Sequence, residues 1–317
     1  MATEQDVRMR LWVEKYRPQR LEDIILPERI KKRFANGLDS NLLFVGTQGV
    51  GKTTLAKILA KDFSVKVINA SLDNGIDSVR NQIVNFCSSA SSFKSSYKVV
   101  ILDESDHLST QAQAAIRGTI EEYHKVARFI FTCNFPEKIL DPIKSRLEIV
   151  DFNFTAEEEQ EQMQLTMRRI VDITRNEGIT ISADAVRALM KIYFPDLRSI
   201  IKNIQSISKT TKNIEEQDVT KVSTTEPNVE LYNFLIHAKT PEEIYSFISG
   251  RFKNKEHECY KSLGTQFIDY LLTIEDKKKH IGKVATIIHR YQYESEKSID
   301  KIIPLLACCF ELSMCFR

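Results

Sequence analysis

The chain has 317 residues, 42% of them apolar and 28% charged, which suits a globular protein able to bury a core and excludes disordered and collagen-like classes. At about 100 to 200 residues per domain, this length calls for two or three domains. Forty-five basic residues against 43 acidic ones leave a formal charge of +2, so affinity for nucleic acid must come from local patches, not from bulk charge.

Residues 1–153 alternate short apolar runs with helical patterns, the signature of a parallel α/β sheet with flanking helices. Strands are expected at 42–45, 65–69, 98–102, 128–132 and 148–152, with helices at about 51–62, 76–90 and 109–123 as crossovers. This is a doubly wound nucleotide-binding domain. Beyond Phe154 the pattern becomes helix only, at 156–177, 182–193 and 196–209, with Gly178 and Pro195 near the breaks. A small helical domain over 154–226 is therefore expected, and its polar stretch 210–228 reads as a linker. An all-helical third domain, 227–317, follows with helices at about 229–238, 241–253, 257–273, 276–293 and 298–316. Phe247, Phe252, Phe267 and Phe310 fall at helical spacing and read as core. Cys87, Cys133, Cys259, Cys308, Cys309 and Cys315 show no CxxC spacing and no hydrophobic signal peptide precedes them, so reduced thiols in a cytoplasmic protein are expected. No run of about 18 apolar residues occurs, and a membrane span is not expected.

Gly46-Thr47-Gln48-Gly49-Val50-Gly51-Lys52-Thr53 fits GxxxxGK[ST], directly after an apolar strand and directly before a helix containing Leu55, Ala56, Ile58 and Leu59. Its glycines let backbone N–H groups turn around an anionic phosphate, the helix N-terminus adds a positive dipole end, and Lys52 supplies a mobile charge. Gly46, Gly49, Val50, Gly51, Lys52, Thr53 and Thr54 are the candidate phosphate-binding residues, with Thr53 also a magnesium ligand. The apolar strand ending in Asp103-Glu104 places two carboxylates at the same edge of the sheet: Asp103 for the metal, Glu104 to polarise the attacking water. Asn134, ending another strand, has two readings, a partner of the water or γ-phosphate, or an ordinary turn residue. Arg146 could reach a neighbouring subunit's nucleotide from its loop, or could be a surface charge; Arg198 carries the same ambiguity.

Trp12-Val13-Glu14-Lys15-Tyr16-Arg17-Pro18, Asn69-Ala70-Ser71, Gly75-Ile76-Asp77, Val79-Arg80-Asn81-Gln82-Ile83 and the run 98–152 together resemble AAA+ clamp-loader ATPase subunits of the replication factor C type, over about residues 11–209. The short length, Met167-Arg168-Arg169, Phe194-Pro195-Asp196 and the tail around Leu306-Ala307-Cys308 are similar to the large subunit of T-even-phage-type loaders. The resemblance implies an AAA+ P-loop domain, a helical lid and a helical collar for oligomerisation. It implies ATP and Mg2+ as cofactors. Asn134 would be the first sensor, Arg198 the second, and Arg146 an arginine finger acting in trans. Val13, Tyr16, Arg17 and Pro18 would border the adenine, although Trp12 and Tyr16 also read as plain core residues. Arg80, Asn81, Ser109 and Gln111 would track the DNA backbone, with a solvated helix face as the alternative. The partners implied are a sliding clamp, primer-template DNA, further copies of the chain and a distinct loader subunit in a pentameric assembly.

Four positions depart from the family pattern. Leu147 replaces a Cys, Asn74 stands where a basic residue often sits, Gly118 replaces one arginine of a pair beside Arg117, and Gln48 lacks the common Pro. The segment 88–96, with Phe86 and Phe93 among small polar residues, reads either as a docking tip for the clamp or as an ordinary loop. Two further functions remain open: another AAA+ DNA motor or helicase loader, and a non-hydrolysing scaffold subunit, against which Lys52, Asp103 and Glu104 count.

Overall fold

Five apolar runs become the strands of one parallel sheet: β1 (Leu42–Val45), β2 (Val65–Asn69), β3 (Lys98–Asp103), β4 (Ala127–Cys133) and β5 (Glu148–Asp151), ordered β2-β3-β4-β1-β5. The computed structural model describes residues 11–73, 75–89, 97–224, 227–238, 240–252, 256–272, 274–298 and 300–316. Asn74 and residues 90–96 of the expected docking tip lie outside the described residues. Before and between the strands come α1 (Trp12–Lys15), α2 (Glu28–Arg33), α3 (Lys52–Leu59), α4 (Ile76–Ser88), α5 (Thr110–Glu122) and α6 (Asp141–Lys144).

Both faces of the sheet are covered, which is why its central strands read as unbroken apolar runs and not as alternating ones. Leu43, Val45, Val100, Leu102, Phe129 and Phe131 pack on one face against Val79 and Ile83 of α4 and Ile116 and Ile120 of α5. On the other face Leu42, Phe44, Val99, Ile101 and Ile130 meet Leu55 and Leu59 of α3, together with Ile30, Phe34 and Phe152. The parallel register sets Val45 opposite Cys133 and Leu102 opposite Phe131, so the carboxyl ends of β1, β3 and β4 emerge side by side.

After β5 the chain enters α7 (Ala156–Asn176), started by a capping box in which Thr155 and Glu158 satisfy each other's backbone N–H. Ser182 and Asp196 cap α8 (Ala183–Tyr193) and α9 (Leu197–Ile207) in the same side-chain-to-backbone manner. Two corrections to the sequence reading arise here. The region is not helix only, because β6 (Thr180–Ile181) pairs in parallel with β7 (Asn213–Ile214); strands of two residues carry no detectable period. The stretch read as a linker contains α10 (Glu216–Thr224), whose nine residues include only Val219 and Val222 as apolar side chains and so look like loop.

Packing divides the chain into two compact units, Met1–Glu216 and Gln217–Arg317. The second is helical: α11 (Pro227–His237), α12 (Pro241–Arg251), α13 (Glu256–Ser262), a π turn at Leu263–Phe267, α14 (Ile268–Leu272), a 3-10 turn at Glu275–His280, α15 (Ile281–Lys297) and α16 (Ile302–Met314). Its core gathers Leu231, Ile248, Phe267, Leu271, Ile288, Leu305, Cys308 and Leu312, with Tyr232 stacked on Phe267 at 5.0 Å. Phe252 and Phe267 are buried as expected, whereas Phe310 is 38% exposed and is not core. All six cysteines are free and buried. No helix among the described residues is long and apolar enough to cross a membrane.

Candidate nucleotide site

Where β1 ends, the chain must curl before α3 can begin, and glycines supply the curl. Gly51 takes φ +98, a left-handed conformation costly for any side chain, and serves as the N-cap of α3. Gly49 has φ +80, and a β-carbon there would come within 1.9 Å of Asp196 Oδ1, so the loop fits beneath the first turn of α9 only because nothing projects from it. Val50 is buried against the sheet core. Thr54 lies in the first turn of α3, one residue past Thr53, and both are half-buried.

Lys52, only 7% exposed, turns its ammonium into this loop. Nζ donates to the carbonyls of Gly46 (2.8 Å) and Thr47 (2.7 Å) and to Asn134 Oδ1 (2.9 Å). Burial pulls its pKa down to about 8, opposed by the nearby carboxylates of Asp106 and Asp103 and reinforced by the charge of Arg198. Beside it, Asp103 Oδ1 accepts the hydroxyls of Thr53 (2.7 Å) and Thr132 (2.6 Å). Glu104 follows in a left-handed conformation, φ 55, its N–H held by Thr132 Oγ1 at 3.0 Å. A non-glycine residue kept there is strained, and such strain persists only where its surroundings over-determine it.

Two residues at this edge were not among the sequence candidates. Thr132 donates to Asp103 and accepts from the Glu104 backbone, so it orients the first carboxylate and holds the backbone of the second acid. Asp106, buried, accepts the N–H groups of Asn134 (3.3 Å) and Phe135 (3.2 Å) through Oδ2, while its Oδ1 has no partner. The signals were a lone hydroxyl ending the apolar run of β4 and a third carboxylate following Asp103-Glu104, neither of which is specific.

The remaining candidates divide. Val13, Tyr16, Arg17 and Pro18 are half-buried and seated on the helices after β5: Tyr16 Oη donates to Glu177 Oε1 (2.6 Å), and Arg169 Nη2 donates to the Tyr16 carbonyl (3.0 Å). Trp12 is buried, its N–H on Gln205 Oε1 at 3.1 Å. Glu14, in the same segment, has its carboxyl lowered by Arg17 first, then by Lys57 of α3 and by Arg198, so this segment, the phosphate-loop helix and Arg198 lie within electrostatic reach of one another. Arg146 is elsewhere. It sits just before β5, and the register of Leu42 with Glu148 puts it at the amino end of the sheet, opposite the phosphate loop. There its guanidinium is held by Glu121 Oε1 (Nε 2.7 Å) and the Pro142 carbonyl (2.5 Å). Arg80 and Asn81 on α4, and Ser109 and Gln111 at the start of α5, are exposed on two helices packed against each other. Ser109 Oγ already accepts the Ala112 N–H at 3.1 Å as the helix cap, leaving its hydroxyl proton as the group free to donate.

Residues 42–154 match the family model for the ATPase family associated with various cellular activities (AAA). The replication factor C small subunit of Methanoculleus marisnigri is 32% identical over 298 residues, covering 84% of this chain and 87% of that protein. The chain belongs to the replication factor C small-subunit family. The corresponding protein of Methanocella arvoryzae is 34% identical over 278 residues, 82% of each chain. Among solved structures, the Thermotoga maritima RuvB Holliday junction branch migration motor aligns with TM-score 0.54 over 74% of this chain and 85% of its own at 18% identity, a likeness of fold. This replication factor C small-subunit relative is thus an ATP-hydrolysing P-loop ATPase.

Proposed function

We propose that this chain is an ATPase subunit of a DNA sliding-clamp loader, in which ATP binding organises a ring or spiral of subunits holding an open clamp on primer-template DNA, and hydrolysis releases both. The observation that carries the chemistry is the convergence of the Thr53 and Thr132 hydroxyls on Asp103 Oδ1 beside the Lys52–Asn134 pair. A hydroxyl and a carboxylate are hard oxygen donors of the kind Mg2+ takes, so Thr53 and Asp103 would hold that ion. Bound there, it would neutralise charge on the β- and γ-phosphates. Lys52 would exchange the carbonyls of Gly46 and Thr47 for phosphate oxygens, while the N–H groups of Gly49 through Thr54 line the cradle. Glu104 would orient the attacking water, with Asn134 holding the water or the γ-phosphate from the neighbouring strand. Arg198 would reach the phosphates from the lid, and Val13, Tyr16, Arg17 and Pro18 would border the adenine. Arg146 would complete the site of the adjacent subunit, a reading supported by its position at the far end of its own sheet.

Assembly is supported by the second unit, where Ile303 (62% exposed), Phe310 and Met314 (48% exposed) recur at i, i+7 and i+11 and share one face of α16. This face would meet further copies of the chain and a distinct loader subunit in a pentameric collar. The exposed Arg80, Asn81, Ser109 and Gln111 suit sequence-independent contacts with the DNA backbone. Free, buried thiols suit a reducing cytoplasm. The test is ATP turnover with primer-template DNA and a sliding clamp, added singly and together. Turnover rising above the sum of the separate effects is the expected result. Equal turnover with and without the clamp, joined to processive strand movement, would replace this reading with a branch-migration type of motor.

A further inference from the structure

The phosphate loop and the lid are tied at the segment that joins them. Between the end of β5 at Asp151 and the start of α7 at Ala156 lie four residues, and the first two press against the loop. A β-carbon on Gly46 would come within 2.9 Å of Phe152 Cβ. The backbone N–H of Thr47, a donor on the phosphate loop itself, is spent on Asn153 Oδ1 at 3.1 Å. Asn153 is fixed in turn by its own N–H on Asp151 Oδ1 at 2.9 Å.

Arg29 binds the same four-residue link from the other side. It projects from α2, whose Ile30 is buried in the sheet core, as is Phe34 just after it, so its base is anchored to the ATPase core. Nη1 donates to the Asp151 carbonyl (2.6 Å), Nη2 to the Asn153 carbonyl (2.8 Å) and Nε to Glu158 Oε1 (2.8 Å). Glu158 is also the residue whose Oε2 accepts the Thr155 N–H at 3.0 Å and closes the capping box that starts α7. A single exposed ion pair holds little, but a planar guanidinium engaged by three acceptors in fixed directions defines an orientation. The hydrogen bonds thus run without a gap from Thr47 in the phosphate loop, through Asn153 and Arg29, to the first turn of the lid helix.

We propose that Asn153 and Arg29 are positioning residues that relay occupancy of the phosphate loop to the lid. This rests on the reading of residues 46–54 as the triphosphate cradle. When phosphate oxygens draw the loop's N–H groups inward, Thr47 shifts with them, Asn153 follows, and Arg29 turns the shared displacement into a rotation of α7 about the link. Neither residue needs to touch the nucleotide, and both side chains are exposed, so truncating them leaves the core intact.

The experiment is hydrogen–deuterium exchange of the segment 154–170 in the full-length protein, with and without saturating ADP, alongside the affinity for a fluorescent ADP. In the unaltered protein ADP slows exchange in the first turns of α7. Asn153→Ala and Arg29→Ala bind ADP within about threefold of the parent, yet lose at least about fivefold of the ADP-dependent protection. Asn153→Asp keeps an oxygen acceptor for the Thr47 N–H and retains the protection at saturation. The relay is overturned if either alanine variant keeps full protection, if the aspartate variant loses it, or if an alanine variant ceases to bind ADP. Failure of the unaltered protein to bind ADP would instead overturn the reading of the cradle.

Discussion

Lys52 is a cation held where a cation is costly. Its ammonium rests among two carbonyls and a carboxamide with 7% exposure, and burial brings its pKa from 10.5 to about 8. Phosphate oxygens would stabilise the charged form, so bound nucleotide must raise that value again. Below about pH 8 the free protein already carries the charge and affinity is full; above it, affinity falls by up to about tenfold per pH unit until the bound-state pKa is reached. Titrating a fluorescent nucleotide from about pH 6.5 to 9.5 should display this slope in the unaltered protein and lose it in Lys52→Ala, and a flat profile in both would remove the assignment. Residues of this kind are legible because the motif is contiguous: one turn of chain contains the glycines, the lysine and the hydroxyl. Thr132 and Asp106 are not, since the bonds that define them reach across 29 and 28 residues and exist only once β3 and β4 pair. Asn153, 106 residues from its partner Thr47, is less legible still.

At the scale of elements, the sheet is specified by burial on both sides, and Phe44 shows how tightly. It is fully buried in β1, with Phe34 at 5.7 Å in an edge-to-face contact and Phe152 at 5.0 Å. Phe152 immediately precedes the link to the lid, so this aromatic cluster fixes the base of the site as well as the sheet. Phe44→Ala should lower the unfolding free energy of the first unit by about 3–5 kcal/mol, read from a urea titration of backbone circular dichroism. A loss under about 1 kcal/mol would mean that the cluster collapses around the gap and is not the keystone of that face. The same two-sided burial made β1 easy to read from sequence, while β2, an edge strand with Val65 and Val67 exposed, was read from its β-branched residues, and both occur at the residues expected. The elements that escaped are those whose stability comes from neighbours: α10 with two valines in nine residues, and the β6–β7 pair, too short for any period. Phe310 was misplaced for a related reason, because helical spacing fixes which residues share a face but not whether anything covers that face.

At the scale of the molecule, the phosphate loop and Arg146 of one chain stand at opposite ends of the sheet. Four-residue strands at about 3.3 Å per residue separate the two ends by more than 10 Å. An arginine there serves its own nucleotide only by passing through a packed core. It is paired instead with Glu121 in an exposed ion pair, which on the proposed reading would be exchanged for a phosphate of a neighbouring subunit. On that reading, charge developing on a transferring phosphoryl group would meet the Arg146 guanidinium only in the assembly, and turnover would depend on interfaces. Mixing two dead variants tests this. Arg146→Ala alone should fall by about 10³-fold or more in turnover, and Lys52→Ala alone should be inactive. Randomly mixed at equal amounts, about a quarter of the interfaces would set an intact phosphate loop against an intact arginine, and activity should return in that proportion. Turnover that stays at the level of the separate variants at every mixing ratio would show that Arg146 acts, if at all, within its own chain.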